Sequence, residues 1–181
     1  MLEVLKVAHM VGMVVLGLGL AAMWVLDLIG RRARSPEESG AAARRSVLAY
    51  DLVVLPGVLL MLASGGGMIA GFYGSAFLDI PWLAGMVILF LLKFIKGYAI
   101  TRLFFRHLRG GKVPGARRWP PNAREKLLSS FSHFLDIPVF VLIAYLGALK
   151  PTDWSSLIFG FALTIAAALT QTAFMRSISK A

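Results

Sequence analysis

No charged residue falls between Lys6 and Asp27, between Asp51 and Asp79, or between Asp153 and Arg176. Runs of that kind constrain a chain more than any motif, because about 20 apolar residues in a helix cross the ~30 Å hydrocarbon core of a bilayer. A polypeptide in lipid must satisfy its own backbone hydrogen bonds, so it forms helices or a closed barrel. Barrel strands alternate apolar and polar residues over segments of ~10, and these runs show no such alternation. The chain therefore reads as an all-α membrane protein. Composition agrees, with 58% of residues hydrophobic, 15% charged and a mean hydropathy of +0.76. A soluble domain needs far more polar surface over its core.

Five transmembrane spans are expected, at roughly 4–29, 46–72, 82–105, 127–149 and 153–175, forming one helical bundle domain over 1–181. The first apolar stretch carries Glu3, lacks a basic leader and runs on past Ala21-Ala22, so it reads as a retained span and not a cleaved signal. Between spans one and two, Gly30 to Arg45 reads as a loop with Ser35-Pro36 as its breaker. That loop, the segment 106–126 and the tail from Arg176 carry 5, 7 and 2 Lys/Arg, whereas the intervening termini and loops carry only Lys6 and Lys150. Basic loops stay on the cytoplasmic side, which places the N-terminus out and the C-terminus in, in a bacterial inner membrane. The net charge of +10 is concentrated in those flanking segments. It points to anionic lipid as the partner and not to nucleic acid. The absence of Cys excludes disulfides, thiolate metal sites and cysteine catalysis.

In such a chain the ionisable residues within the spans are the informative ones, since each costs about 2.5–3.5 kcal/mol at the bilayer centre. Asp27, Asp51, Lys96, His133 and Asp136 fall in the inner half, and Lys93 near the midplane. Lys96 and Asp136 each lie about 13 Å from the inner end of their span at ~1.5 Å per residue, so they are expected to form an ion pair. That pair reads either as a structural bridge between helices or as part of a proton or substrate path.

In the outer half, His9 stands on a helical face with Gly12 and Gly19. Ser64-Gly65-Gly66-Gly67 of span two and Met86 of span three fall at a similar depth. An imidazole facing a thioether across a glycine-lined cleft is one way to hold a b-type haem, with His9 as iron ligand and Met86 as the second ligand. The alternative is that His9 hydrogen-bonds a neighbouring helix or reaches interfacial water, and that the glycines only tighten packing. No HExxH, hydrolase triad, Walker loop or dinucleotide fingerprint is present, so no reaction is assigned from motifs.

Several short motifs together carry a resemblance. These are Lys6-x-x-His9-x-x-Gly12, Asp51 followed by Pro56 and Gly65, Pro81-Trp82-Leu83, and Asp136-Ile137-Pro138 leading to Lys150-Pro151. In their order and spacing over roughly 1–151, they resemble a family of bacterial predicted integral membrane proteins of unknown function. More distantly they are similar to the membrane-bound, haem-containing protoporphyrinogen oxidases of the HemJ type. What that second resemblance implies is a haem at His9. The chain departs from the oxidase pattern at Met86, at Lys96-Gly97 and at Leu135-Asp136, and it continues into a fifth span after Pro151.

Three kinds of function are compatible with these residues. The first is a haem-binding redox or electron-transfer protein using His9. The second is a non-enzymatic accessory subunit, packing as a homo-oligomer or within a larger membrane complex. The third is a small ion-coupled permease using Lys96, Asp136 and Asp51. The absence of an internal repeat gives the third the least support.

Overall fold

A computed structural model describes the backbone of residues 2–109 and 134–178, and the side chains of residues 2–35, 37–95 and 134–174. Every described element is helical. Helix α1 (Leu2–Arg32) has 31 residues and extends about 46 Å at ~1.5 Å per residue, more than a bilayer core requires. Its apolar stretch is bracketed by two ion pairs, Lys6 Nζ to Glu3 Oε1 at 2.8 Å and Arg31 Nε to Asp27 Oδ2 at 2.6 Å. Glu3 in the first turn and Arg31 and Arg32 in the last also complement the helix dipole.

The expected loop from Gly30 to Arg45 is much shorter than the sequence suggested. Ser35-Pro36 starts a helix here instead of breaking one. Helix α2 (Pro36–Ala49) opens with Pro in its first turn, where a missing N–H costs nothing. The Ser35 hydroxyl accepts from the Glu38 N–H at 3.2 Å, and the Glu38 carboxylate accepts from the Arg34 N–H at 2.8 Å. Such reciprocal capping satisfies donors that a helix start otherwise leaves orphaned. Arg44 and Arg45 are consequently helical.

Helix α2 continues through a π-helical turn (Tyr50–Val54) into α3 (Leu55–Phe72), giving one apolar helix from Glu37 to Phe72. The turn has an identifiable cause. Pro56 cannot donate to the carbonyl four residues back, and the Leu55 N–H bonds to Tyr50 O, five residues back. A wider turn relieves the clash of the proline ring within a continuing helix.

After a 3-10 segment (Gly74–Asp79), α4 runs Pro81–Arg109, α5 Asp136–Leu149 and α6 Trp154–Ile178. Lys150 ends α5 in the left-handed conformation (φ 48°, ψ 53°), its N–H bonding to Leu146 O at 3.0 Å before Pro151 stops the helix. Asp153 opens α6 by accepting from the Ser156 N–H at 2.7 Å and from the Ser155 and Ser156 hydroxyls. Those donors, the Ser155 hydroxyl foremost, hold its carboxyl down to about 2.

Among the described residues, the stretches Leu2–Arg32, Glu37–Phe72 and Trp154–Phe174 are long and apolar enough to cross a membrane. Pro81–Ile95 and Asp136–Leu149 are shorter apolar helices, and residues 127–133 of the expected fourth span lie outside the described residues.

The chain divides into two compact units, Met1–Phe77 with Ile100–Val113, and Leu78–Ala99 with Pro114–Ala181. In the first, α1 packs antiparallel on the α2–α3 helix, small residues meeting large ones. Gly19 lies against Val54, Leu16 against Gly57, Gly12 against Met61, Gly65 against His9, and Gly67 against Leu5. A Cβ on Gly57 would stand 2.8 Å from the Leu16 backbone nitrogen, so the helices touch backbone to backbone. Lipid is as apolar as leucine, so such helices associate through close packing and not through hydrophobic burial. In the second unit the same device recurs. Gly85 of α4 receives Leu157, Gly147 of α5 receives the Met86 sulfur, and Gly160 of α6 receives Leu142. Its buried centre is formed by Leu83, Ala84, Leu142, Leu146 and Ala168.

Candidate functional site

The antiparallel register of α1 on α3 sets His9 opposite Ser64. His9 Nδ1 lies 3.1 Å from Ser64 Oγ, and its Cε1 sits where a Cβ on Gly65 would approach to 3.2 Å. Gly65 thus gives the ring its seat. Ser64 is 2% exposed, and its hydroxyl bonds back to the Leu60 carbonyl at 2.5 Å. His9 itself is half-buried. This is an imidazole fixed to a neighbouring helix by one nitrogen, in an otherwise apolar stretch.

The glycine face of α1, expected to leave room for a helix or a flat ligand, is occupied by a helix. Met61 fills the notch at Gly12 and Val54 the notch at Gly19. Of the three consecutive glycines on α3, Gly65 meets His9 and Gly67 meets Leu5, while Gly66 has nothing within 4 Å. Met86 belongs to the second unit, where its sulfur lies 3.5 Å from the position of a Cβ on Gly147.

Asp136 forms an ion pair with Lys93, three residues before the Lys96 expected from sequence. The Lys96 side chain lies outside the described residues, as does His133, and His107 is described only in its backbone. The side chains of Lys93 and Asp136 are 24% and 32% exposed, so neither charge is sealed from its surroundings. Asp27, another charge flagged within a span, is accounted for by Arg31 one turn on. Asp51 stands in the π-helical turn. No cluster of three or more His, Asp or Glu able to hold a metal ion occurs among the described residues.

Two residues were not singled out from the sequence as partners, Ser64 for His9 and Lys93 for Asp136. A signal for the first exists in the chain. Small residues on α1 (Gly12, Gly19) and on α3 (Gly57, Gly65) lie opposite larger residues of the other helix, and the register that interlocks them pairs His9 with Ser64. The motifs quoted above also meet in space. His9 of the first touches Ser64-Gly65, and Lys150 Nζ stands 5.5 Å over the ring of Trp82.

The predicted integral membrane protein family DUF2269 matches residues 3–151, most of the chain and all of these contacts. The chain belongs to that family. In this DUF2269 protein, α6 lies beyond the matched region. No match was found among curated proteins or among solved structures. The family's description gives an integral membrane protein, in agreement with the long apolar helices.

Proposed function

We propose that this DUF2269 protein binds a b-type haem through His9, in a redox or electron-transfer role. The observation that carries the reading is the anchored imidazole. An iron-ligating histidine characteristically engages its other ring nitrogen in a hydrogen bond, which fixes the ring. His9 has that arrangement through Ser64, within a helix whose neighbouring residues are apolar. The resemblance to the haem-containing oxidases points to the same residue.

The notches of Gly12 and Gly19 are filled, so α1 and α3 leave no slot for a flat ring between them, but His9 keeps a half-exposed flank. Met86 is accommodated by the Gly147 notch, and the reading therefore rests on His9 alone. A bound haem would supply one-electron chemistry. The chain's part is to hold the imidazole neutral, oriented and away from bulk water.

We further infer five spans with the N-terminus out and the C-terminus in, in a bacterial inner membrane. Arg31, Arg32, Arg34, Arg44 and Arg45 then meet anionic headgroups on the cytoplasmic side.

Purification from haem-replete cells followed by an absorbance spectrum tests the haem. A Soret band is expected in the wild type, and His9→Ala should lose it while remaining inserted in the membrane. A folded wild-type preparation without that band removes the proposal. Stoichiometric co-purification of other membrane proteins in mild detergent would then favour the accessory-subunit reading.

A further inference from the structure

Ser64 has one hydroxyl proton and three neighbours that could claim it. Its Oγ lies 2.5 Å from the Leu60 carbonyl, 3.5 Å from the Met61 carbonyl and 3.1 Å from His9 Nδ1. A carbonyl oxygen only accepts, so the 2.5 Å contact must contain the serine proton. If the proton turned instead toward His9, two oxygen lone pairs would face one another at that distance, in a site with no room for water to intervene. Ser64 is 2% exposed.

With its proton committed to Leu60, Ser64 Oγ meets His9 as an acceptor. The 3.1 Å contact is then a hydrogen bond only if Nδ1 carries the hydrogen. We infer that Ser64 is a positioning residue that fixes neutral His9 in the Nδ1–H tautomer and so makes Nε2 the nitrogen that carries the lone pair.

This is the less favoured tautomer of free histidine in water, so the serine imposes a choice the imidazole would not make alone. The physical driver is the apolar surrounding, where an unpaired N–H or hydroxyl is costly and both groups are satisfied by one arrangement. Gly65 sharpens the constraint by seating Cε1 so closely that the ring has little freedom to swing off Ser64. The ligand class that fits Nε2 is a borderline metal centre such as haem iron, which takes a neutral imidazole nitrogen. That consequence for iron rests on the haem reading above, whereas the tautomer itself does not.

The test is nitrogen NMR of the full chain labelled with 15N-histidine, in nanodiscs, free of haem, at a mildly alkaline pH. His107→Gln and His133→Gln leave His9 as the single signal. A protonated Nδ1 with an unprotonated Nε2 is expected, and Ser64→Ala should move the signal toward Nε2–H. An Nε2–H wild type overturns the inference whether or not the alanine variant folds, and so does an Nδ1–H signal unchanged in Ser64→Ala. In haem-loaded protein, Ser64→Ala should weaken binding about 10–100-fold, the usual scale for losing such a support. An Nδ1–H signal in a protein that never binds haem sinks the haem reading alone. Haem bound through His9 in a protein whose haem-free signal is Nε2–H sinks the tautomer alone.

Discussion

At the residue scale, glycines decide how near the helices come. Gly57 and Gly66 stand nine positions apart on the same α2–α3 helix but in opposite situations. A Cβ on Gly57 meets the backbone of Leu16, which cannot step aside, whereas a Cβ on Gly66 meets nothing within 4 Å. Gly57→Ala should therefore destabilise the protein by about 1–3 kcal/mol, the range for overpacking a tight interface. Gly66→Ala should be neutral or stabilising by up to ~1 kcal/mol, because alanine loses less backbone freedom on forming a helix. Unfolding midpoints in mixed detergent compare the two directly. Equal stability of Gly57→Ala and wild type would mean that α1 and α3 do not approach so closely. Glycines are plain in a sequence, but which of them faces a neighbour is not, since Gly65, Gly66 and Gly67 differ only in the direction a helix turns them.

At the element scale, Asp136 of α5 bridges to Lys93 of α4, while the side chain of Lys96, the partner expected from depth, lies outside the described residues. Counting residues along the spans places Lys96 and Asp136 at one depth and Lys93 nearer the midplane. One helical turn is about 5.4 Å, less than a lysine side chain can reach, so counting from uncertain span ends does not distinguish the two. Asp136→Ala should cost about 3–5 kcal/mol, because Lys93 is left without its counter-charge in an apolar span. Lys93→Met in the same chain should recover part of that loss. A double-mutant cycle measures it, and coupling of Asp136 to Lys96 in place of Lys93 would reassign the bridge. Likewise, Ser35-Pro36 reads in sequence as a helix breaker because proline stops a preceding helix, yet the same dipeptide with Glu38 is a helix start. The deciding bonds, Ser35 to Glu38 and Glu38 to Arg34, involve only neighbours and were therefore legible in principle.

At the scale of the whole molecule, orientation is the property that charge alone predicts. Because the chain has no cysteine, single cysteines report on sidedness without background. A cysteine at Gly40 should be labelled by an impermeant maleimide only from the cytoplasmic side, and one at Thr152 only from outside. Reversed labelling at both positions would invert the topology. Labelling of both from one face would change the number of spans between them.

The unbroken apolar runs by themselves determined that the chain is helical and membrane-embedded, since a bilayer leaves an uncharged stretch of that length few other ways to satisfy its backbone. The same local information marked His9 and Asp136 as residues out of place in lipid, and Lys150-Pro151 as a helix end. It could not determine their partners. Ser64 meets His9, and Lys93 meets Asp136, through helices that approach at distances set by which side chains interlock. Interlocking depends on the rotation and register of two helices at once, and a one-residue change in either turns a different face inward. Only the tertiary packing of Leu16 on Gly57 and Met61 on Gly12 fixed that register, and with it the serine that holds the histidine.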